Sequence, residues 1–533
     1  MRRSPVVLAL LALVTSACAS GTASSPGIAG DPPPAHHVPT AEPWWPEPEP
    51  EPEPERTLEP QPTEEPWWPE PAQPGATPYD GVTYDDPGVN PFIPAEEDGE
   101  STFALDVDTA SYAIAQRYVH DGHLPDPASI RVEEWVNAFQ QGYEPPRDDA
   151  FAIHVDGAPT PFLPRDEVLL RIGVQARPVH ASDRRDAALT FVIDTSGSME
   201  REDRLGLVQA SLARLVDRLQ AGDTVAIVTY GTDARVVLEP TSIQDGGRIV
   251  DAIHGLWPDG STNAEAGLRL GYRLAADWFR EGATNRVVLA SDGVANVGVT
   301  DPDELLRRVE WDRSLGIELV TVGFGMGNYN DTLMEQLADH GDGFYAYVNR
   351  LDDAERLFGE DLVGTLEAVA LDAKAQVTFD PDVVDSYRLI GYENRAVADD
   401  RFRDDTVEAG AIGAGHAATA LYALRLTRDR GWSDRIGTVT LRWTDPDSGS
   451  VDELRREVGL PDVSGSFEAT PPSFRLHALV AATAEVARGS RWVDGLRFRD
   501  LAATASELAW DLPDDPQVAE FLGFLDAAAR LER

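Results

Sequence analysis

An α/β fold built on a mostly parallel, doubly wound sheet is the class this sequence predicts, and three observations predict it. Between 187 and 365, short runs rich in Val, Ile and Leu alternate with segments of helical spacing. That order calls for a parallel sheet with helices on both faces. On either side, 151–179 and 366–461 carry the two-residue alternation of β-strands, so a β-sandwich either flanks the α/β unit or receives it as an insertion. Helical spacing marks the outer segments, 101–146 and 462–533.

Taken from the start, Met1-Arg2-Arg3, an apolar stretch over 6–14 and Thr15-Ser16-Ala17-Cys18 read as a secretory signal over 1–18. The stretch is too short for a permanent membrane helix. It resembles a bacterial lipobox, with Thr15 where Leu is usual; the alternative is an ordinary signal with an incidental cysteine. The resemblance implies that Cys18 is lipidated and becomes the mature N-terminus. Several acyl chains there would anchor the protein stably, since one binds only marginally. The expected location is extracytoplasmic: the outer membrane in a diderm bacterium, as Ala19 implies, and otherwise the outer face of the cytoplasmic membrane. Cys18 is the single cysteine, which excludes an intrachain disulfide and a thiolate metal site.

Residues 19–98 read as a disordered tether rich in Pro and Glu, with Arg56 as its single base. Extended as polyproline II, ~80 residues reach on the order of 200 Å. Glu-Pro-Trp-Trp-Pro-Glu-Pro occurs twice in it, at 42–48 and 65–71. Such Trp pairs suit an aromatic groove, although a duplicated low-complexity unit explains them more simply. The whole chain carries 92 acidic against 45 basic side chains, a formal net charge of −47. Such a surface repels nucleic acid and anionic headgroups, so neither is an expected partner.

An N-terminal module over 99–180 begins with helical spacing at 110–119, where Asp108 or Thr109 supplies a cap, and at 132–139. Asp106 and Asp108 are read as capping and turn residues rather than metal ligands. Strands follow, as in Glu167-Val168-Leu169-Leu170-Arg171-Ile172-Gly173-Val174.

The central unit, 187–365, carries the chemistry. The apolar run Phe191-Val192-Ile193 ends in Asp194-Thr195-Ser196-Gly197-Ser198-Met199, which places three oxygen side chains at alternate positions after a strand. Two later loops add oxygen donors at element ends: Gly260-Ser261-Thr262-Asn263 before a helix, and Ala290-Ser291-Asp292-Gly293 after a strand. Oxygen ligands with one coordination position left open suit a hard cation such as Mg²⁺ or Mn²⁺. In parallel sheets, ligands bind at the carboxyl ends of the strands, where Asp194 and Asp292 fall. The periodicity predicts helices over 204–220, near 248–256, over 264–279 and 302–314, and near 332–339. It predicts strands over 224–230, 234–238, 286–290, 317–322 and near 343–348.

These three loops resemble the von Willebrand factor A (VWA) domain and its metal-ion-dependent adhesion site (MIDAS). The resemblance implies a Rossmann-like fold. It implies that Ser196, Ser198 and Thr262 bind the metal directly or through water, that Asp194 and Asp292 act mostly through water, and that a protein partner completes the sphere with an acidic side chain. The segments 101–112, 131–139, 387–395 and 410–416 are similar to the N- and C-terminal modules of a group of bacterial VWA lipoproteins.

Beyond the VWA unit, 366–461 is β-rich, as in Gly437-Thr438-Val439-Thr440-Leu441-Arg442-Trp443, and 462–533 is helical, with amphipathic stretches at 474–487, 501–512 and 518–531. Enzyme signatures are sparse: no G-x-S-x-G elbow, no H-E-x-x-H and no Walker loop occur. The histidines are scattered, with His36 and His37 in the tether and His120 and His123 at a helix end. His416, in a Gly-rich loop, reads as a structural group. Asp445-Pro446-Asp447-Ser448-Gly449 reads as a turn rather than a Ca²⁺ loop, because it lacks the terminal Glu. The expected function is therefore non-enzymatic: metal-dependent capture of a protein partner at the cell envelope. The alternatives are an envelope assembly platform with a purely stabilising metal and, less favoured, a metal-assisted hydrolase.

Overall fold

The computed structural model of the chain describes Tyr79 and residues 84–532, apart from 201, 294–301, 326–330, 408, 429–430, 432–433 and 513–514. The segment expected to be a signal, with Cys18, both Trp-Trp repeats and most of the expected tether lie outside the described residues. Strands β1 (Ile93–Pro94) and β2 (Glu100–Ala104) lead into helices α1 (Ala110–His120) and α2 (Val132–Asn137), then β3 (Phe151–Ala158) and β4 (Glu167–Ala176). The central unit runs β5 (Ala187–Asp194), α3 (Leu207–Arg218), β6 (Thr224–Tyr230), β7 (Ala234–Ser242), α4 (Gly246–His254), α5 (Ala264–Asp277), β8 (Thr284–Ser291), α6 (Pro302–Arg313), β9 (Ile317–Phe324), α7 (Asp331–His340), β10 (Tyr345–Val348), α8 (Leu351–Glu355) and α9 (Leu362–Leu366). After it come β11 (Ala368–Phe379), β12 (Val384–Ile390), β13 (Ile412–Gly413), β14 (Ala417–Leu426), β15 (Arg435–Thr444) and β16 (Val451–Gly459), then α10 (Pro472–Ala487), α11 (Phe498–Leu508) and α12 (Pro516–Leu531).

The central sheet has the order β10-β9-β8-β5-β6-β7; every pairing is parallel except that of the edge strand β7. Its strands are continuous apolar runs because helices cover both faces. One face packs Leu189, Phe191 and Ile193 against α3 and α4; the other packs Val192, Val228 and Leu289 against α5, α6 and α7. Each such Val, Leu or Ile contributes about 1.5–3 kcal/mol on burial.

The central unit is inserted in a sandwich. Strands from before it (β3, β4) and after it (β12, β14) share one sheet, β1-β12-β14-β4-β3. The facing sheet runs β13-β11-β15-β16, with β2 paired to β11. Leu170, Ile172 and Val174 meet Ala375, Val377 and Val439 across the common core. Helices α2, α10, α11 and α12 cover the outer face of the first sheet, over Leu169, Leu421 and Ala423.

Helix α1 ties the two bodies together. Tyr112, Ala115 and Val119 enter the helical core on the sandwich, while Ala110, Ile114 and Tyr118 enter the core of the central sheet. Its cap differs from expectation. Neither Asp108 nor Thr109 caps it; the Ser111 amide donates instead to Glu134 of α2 at 2.8 Å. Asp106 and Asp108 are turn residues, with Asp106 Oδ1 accepting from the Asp108 amide at 2.8 Å. Both also face Arg395, which reaches Asp106 at 3.5 Å, Asp108 at 3.2 Å, Glu335 at 2.9 Å and Asp339.

Regular structure begins earlier than 99, at β1. β1 pairs with β12, and Phe92 lies edge-on to Trp492 with the Arg425 guanidinium 3.8 Å from its ring centre. Those contacts order the last tether residues despite their composition. The Asp445 segment is a turn, its carboxylate accepting from the Ser448 amide at 2.8 Å. Among the described residues, no helix is long and apolar enough to cross a membrane.

Candidate functional site

Asp194 ends β5, and Ser291 ends the adjacent β8. Parallel pairing, with Ile193 opposite Ala290, brings the two strand ends side by side and turns both following loops to the same edge. Asp194 Oδ1 accepts from the Ser196 amide at 2.8 Å, an Asx turn that throws the chain off the strand. Ser196 Oγ lies 2.9 Å from Ser198 Oγ, and Ser198 Oγ donates to Asp292 Oδ1 at 3.1 Å. Four of the five expected site residues thus form one hydrogen-bonded row. It runs from the fully buried Asp194, through Ser196 at 2% exposure, to the exposed Ser198.

The third loop docks on the first through its backbone. The Gly197 amide donates to the Gly260 carbonyl at 2.9 Å, and the Asp259 amide to the Thr195 carbonyl. Gly260 adopts φ +80°, and a Cβ there would collide with Thr232. Thr262 follows two residues later, half-buried, directly before Asn263, whose side chain caps α5 by accepting from the Ala266 amide at 3.0 Å. The fold therefore brings the Thr262 loop to the same edge, while no side-chain hydrogen bond joins Thr262 to the serines.

Two further residues belong to this arrangement. Ser291 Oγ lies 3.0 Å from Asp194 Oδ2 and 2.6 Å from the Gly293 carbonyl. Its place directly before Asp292 is the signal that could have marked it. Arg204 is the less expected one. A π-type turn spans Glu202–Gly206, so the helix expected from 204 begins at Leu207. That turn sends the Arg204 guanidinium inward, where Nη1 donates to the Ser198 carbonyl at 2.7 Å and pairs with Asp292 Oδ2. Its stem runs along Gly325, at φ +70°, where a Cβ would stand 2.7 Å from the Arg204 Cγ. Nothing in the local sequence separates Arg204 from the many surface arginines of helices.

Burial, reinforced by the neighbouring Asp292, pushes the Asp194 carboxyl up to about 6. Burial likewise raises Asp292, against the lowering effect of Arg204. Two buried carboxylates and a row of hydroxyls make a donor set suited to a hard cation, which would supply the missing positive charge. Among the described residues, no group of three or more His, Cys, Asp or Glu is placed to hold a metal, so the candidate rests on the hydroxyls as much as on the carboxylates. His416 stands elsewhere, with burial, then Arg286, holding it down to about 4, as suits a neutral structural group.

Three family models match the chain: "von Willebrand factor" over 79–170, "von Willebrand factor type A domain" over 188–360, and "Uncharacterized protein YfbK, C-terminal" over 364–531. The uncharacterized protein YfbK of Escherichia coli is 34% identical over 482 residues, covering 86% of this chain and 82% of that one. The uncharacterized protein sll0103 of Synechocystis is 30% identical over 202 residues, covering 38% and 46%. Among solved structures, a von Willebrand factor type A protein from Catenulispora acidiphila covers 74% of this chain and 91% of its own, at a TM-score of 0.42 and 17% identity. VWA domains mediate protein interactions, often through a metal ion. With its three segments in this order and similarity along most of its length, the chain belongs to the YfbK family of VWA-domain proteins.

Proposed function

We propose that this protein is a lipid-anchored, extracytoplasmic binding protein that captures a protein partner through a divalent cation, Mg²⁺ or Mn²⁺, held by Asp194, Ser196, Ser198, Thr262 and Asp292. The observation that carries the reading is the row in which Asp194 accepts from the Ser196 amide, the Ser196 hydroxyl meets the exposed Ser198 hydroxyl, and Ser198 donates to the buried Asp292. Hydroxyl ligands leave a bound cation's charge unquenched, so the ion would supply an electrophilic pole for a carboxylate of the partner. Ser291 keeps Asp194 oriented, and Asn263 holds the helix start beside Thr262.

The rim supports a protein ligand. Trp257, 58% exposed in the segment leading to Gly260, carries the Arg235 guanidinium 5.0 Å over its ring. Exposed Trp and Arg are the residue types that anchor protein interfaces. Anchoring rests on the lipobox-like Cys18; the tether would hold the binding face away from the membrane.

The test is retention of envelope-extract proteins on the immobilised chain in Mg²⁺, in EDTA, and with Asp194→Ala. The expected result is a set of partners held by the wild type in Mg²⁺ and lost under both other conditions. Equal retention in all three would reject metal-dependent capture and leave the assembly-platform reading.

A further inference from the structure

Arg204 supplies a positive charge at the place where a cation is expected. Asp194 and Asp292 are both almost completely buried, and Asp292 destabilises the ionised form of Asp194. Such a pair needs compensation in the folded protein. Asp292 already has both oxygens engaged, Oδ1 by the Ser198 hydroxyl at 3.1 Å and Oδ2 by Arg204. Arg204 also holds the Ser198 carbonyl at 2.7 Å, so one guanidinium braces two of the loops. The passage beside Gly325 keeps its stem in the interior.

We infer that Arg204 is a built-in counter-cation that competes with the divalent ion for Asp292, weakening ion binding until an acidic partner arrives. The inference rests on the metal-site reading above. Its logic is a charge count. Without an ion, Asp194, Asp292 and Arg204 sum to −1. With a divalent ion they sum to +1, whereas a site lacking Arg204 would reach zero. The loaded site is left with an unbalanced positive charge, which a single carboxylate from a partner neutralises. Ion and acidic ligand therefore bind cooperatively, each raising the affinity for the other.

The experiment is calorimetric titration of the full chain with Mn²⁺, alone and in the presence of an acidic side-chain probe, acetate, for wild type, Arg204→Gln and Arg204→Lys. The expected result is that Arg204→Gln binds Mn²⁺ about tenfold tighter than wild type and shows a weaker acetate dependence. Arg204→Lys, a point charge without the guanidinium fork, falls between the two. Melting supplies the control. Arg204→Gln melts below wild type in EDTA, where two carboxylates are left uncompensated, and the deficit closes in Mn²⁺. A purely structural arginine would give the same deficit in both. Mn²⁺ binding by a folded Arg204→Gln that is equal to or weaker than wild type overturns the inference. So does an unchanged melting deficit. Should Arg204→Gln fail to fold, Arg204→Lys decides on the same two readouts. Saturable binding in wild type with no effect of Arg204 sinks this inference alone; no binding in any variant sinks the metal reading with it.

Discussion

Arg204 and Arg395 are both buried among carboxylates, one at the strand ends of the VWA sheet and one where that domain meets the sandwich. Arg395 faces four acids: Asp106 and Asp108 from the turn before α1, and Glu335 and Asp339 from α7. Three of those acids have other partners: Asp106 accepts from the Asp108 amide, Asp108 from the Tyr345 amide at 3.1 Å, and Glu335 from Asn394 at 2.8 Å. Arg204 pairs with Asp292, and from there the cluster continues to the exposed Ser198 and on to Ser196. The same pairing of arginine and carboxylate thus serves two ends. Where one arginine pairs with acids from the turn before α1 and from α7, the cluster is a clasp between domains. Where hydroxyls give the carboxylates a route to the surface, a cation from outside can take part.

The largest expected effect breaks the clasp. Arg395→Met leaves four carboxylates without their common partner and should cost about 3–5 kcal/mol in urea unfolding. The loss should be the same in Mg²⁺ and EDTA. A loss that Mg²⁺ repairs would mean that the two clusters are not different in kind.

The second prediction inverts the sign at the other cluster. The Asp194 carboxyl is raised to about 6 in the folded protein, above its ordinary value of 3.8. A raised acid contributes stability that is present at low pH and lost as pH rises through about 6. In EDTA at pH 7.5, Asp194→Asn should therefore be more stable than wild type, by about 1–3 kcal/mol. The advantage should shrink towards pH 5, where Asp194 takes up its own proton, and wild type alone should gain from Mg²⁺. Urea unfolding at the two pH values checks it; a less stable Asp194→Asn at pH 7.5 would show that Arg204 already compensates Asp194.

A third arginine sharpens the contrast at smaller scale. Arg171 donates to His477 Nδ1 at 3.0 Å while pairing with Asp156 at 2.6 Å. Burial, then Arg171, holds the His477 imidazole well below its ordinary value of 6.5. The unfolded chain therefore takes up a proton that the folded chain refuses, and stability falls as pH drops below about 6.5. Between pH 7.5 and 5, His477→Gln should lose up to about 2 kcal/mol less than wild type. Parallel pH profiles would mean that His477 is protonated within the fold.

Much of the candidate site was legible because its signals are local. Asp194, Ser196 and Ser198 fall at alternate positions within five residues after an apolar strand, and parallel pairing then dictates where the Asp292 loop must fall. Arg204 was not legible. It sits 88 positions from Asp292, and it lies in a π-type turn that no local pattern announces. The ordered edge at Phe92 escaped composition for a related reason: its order comes from Trp492 and Arg425, which no local window contains.

The sequence by itself determined the alternation of strands and helices, the ends of the strands and the acidic, proline-rich character of the tether, because periodicity, propensity and charge act over a few residues. Tertiary structure alone decided that β4 and β14 share a sheet around an inserted domain, that helix α1 serves two cores, and that one arginine clasps four acids while another pairs with Asp292 at the strand ends of the central sheet. Those outcomes depend on distances between residues far apart in the chain, and burial, which sets the strength of a charge, exists only once the chain has closed around it.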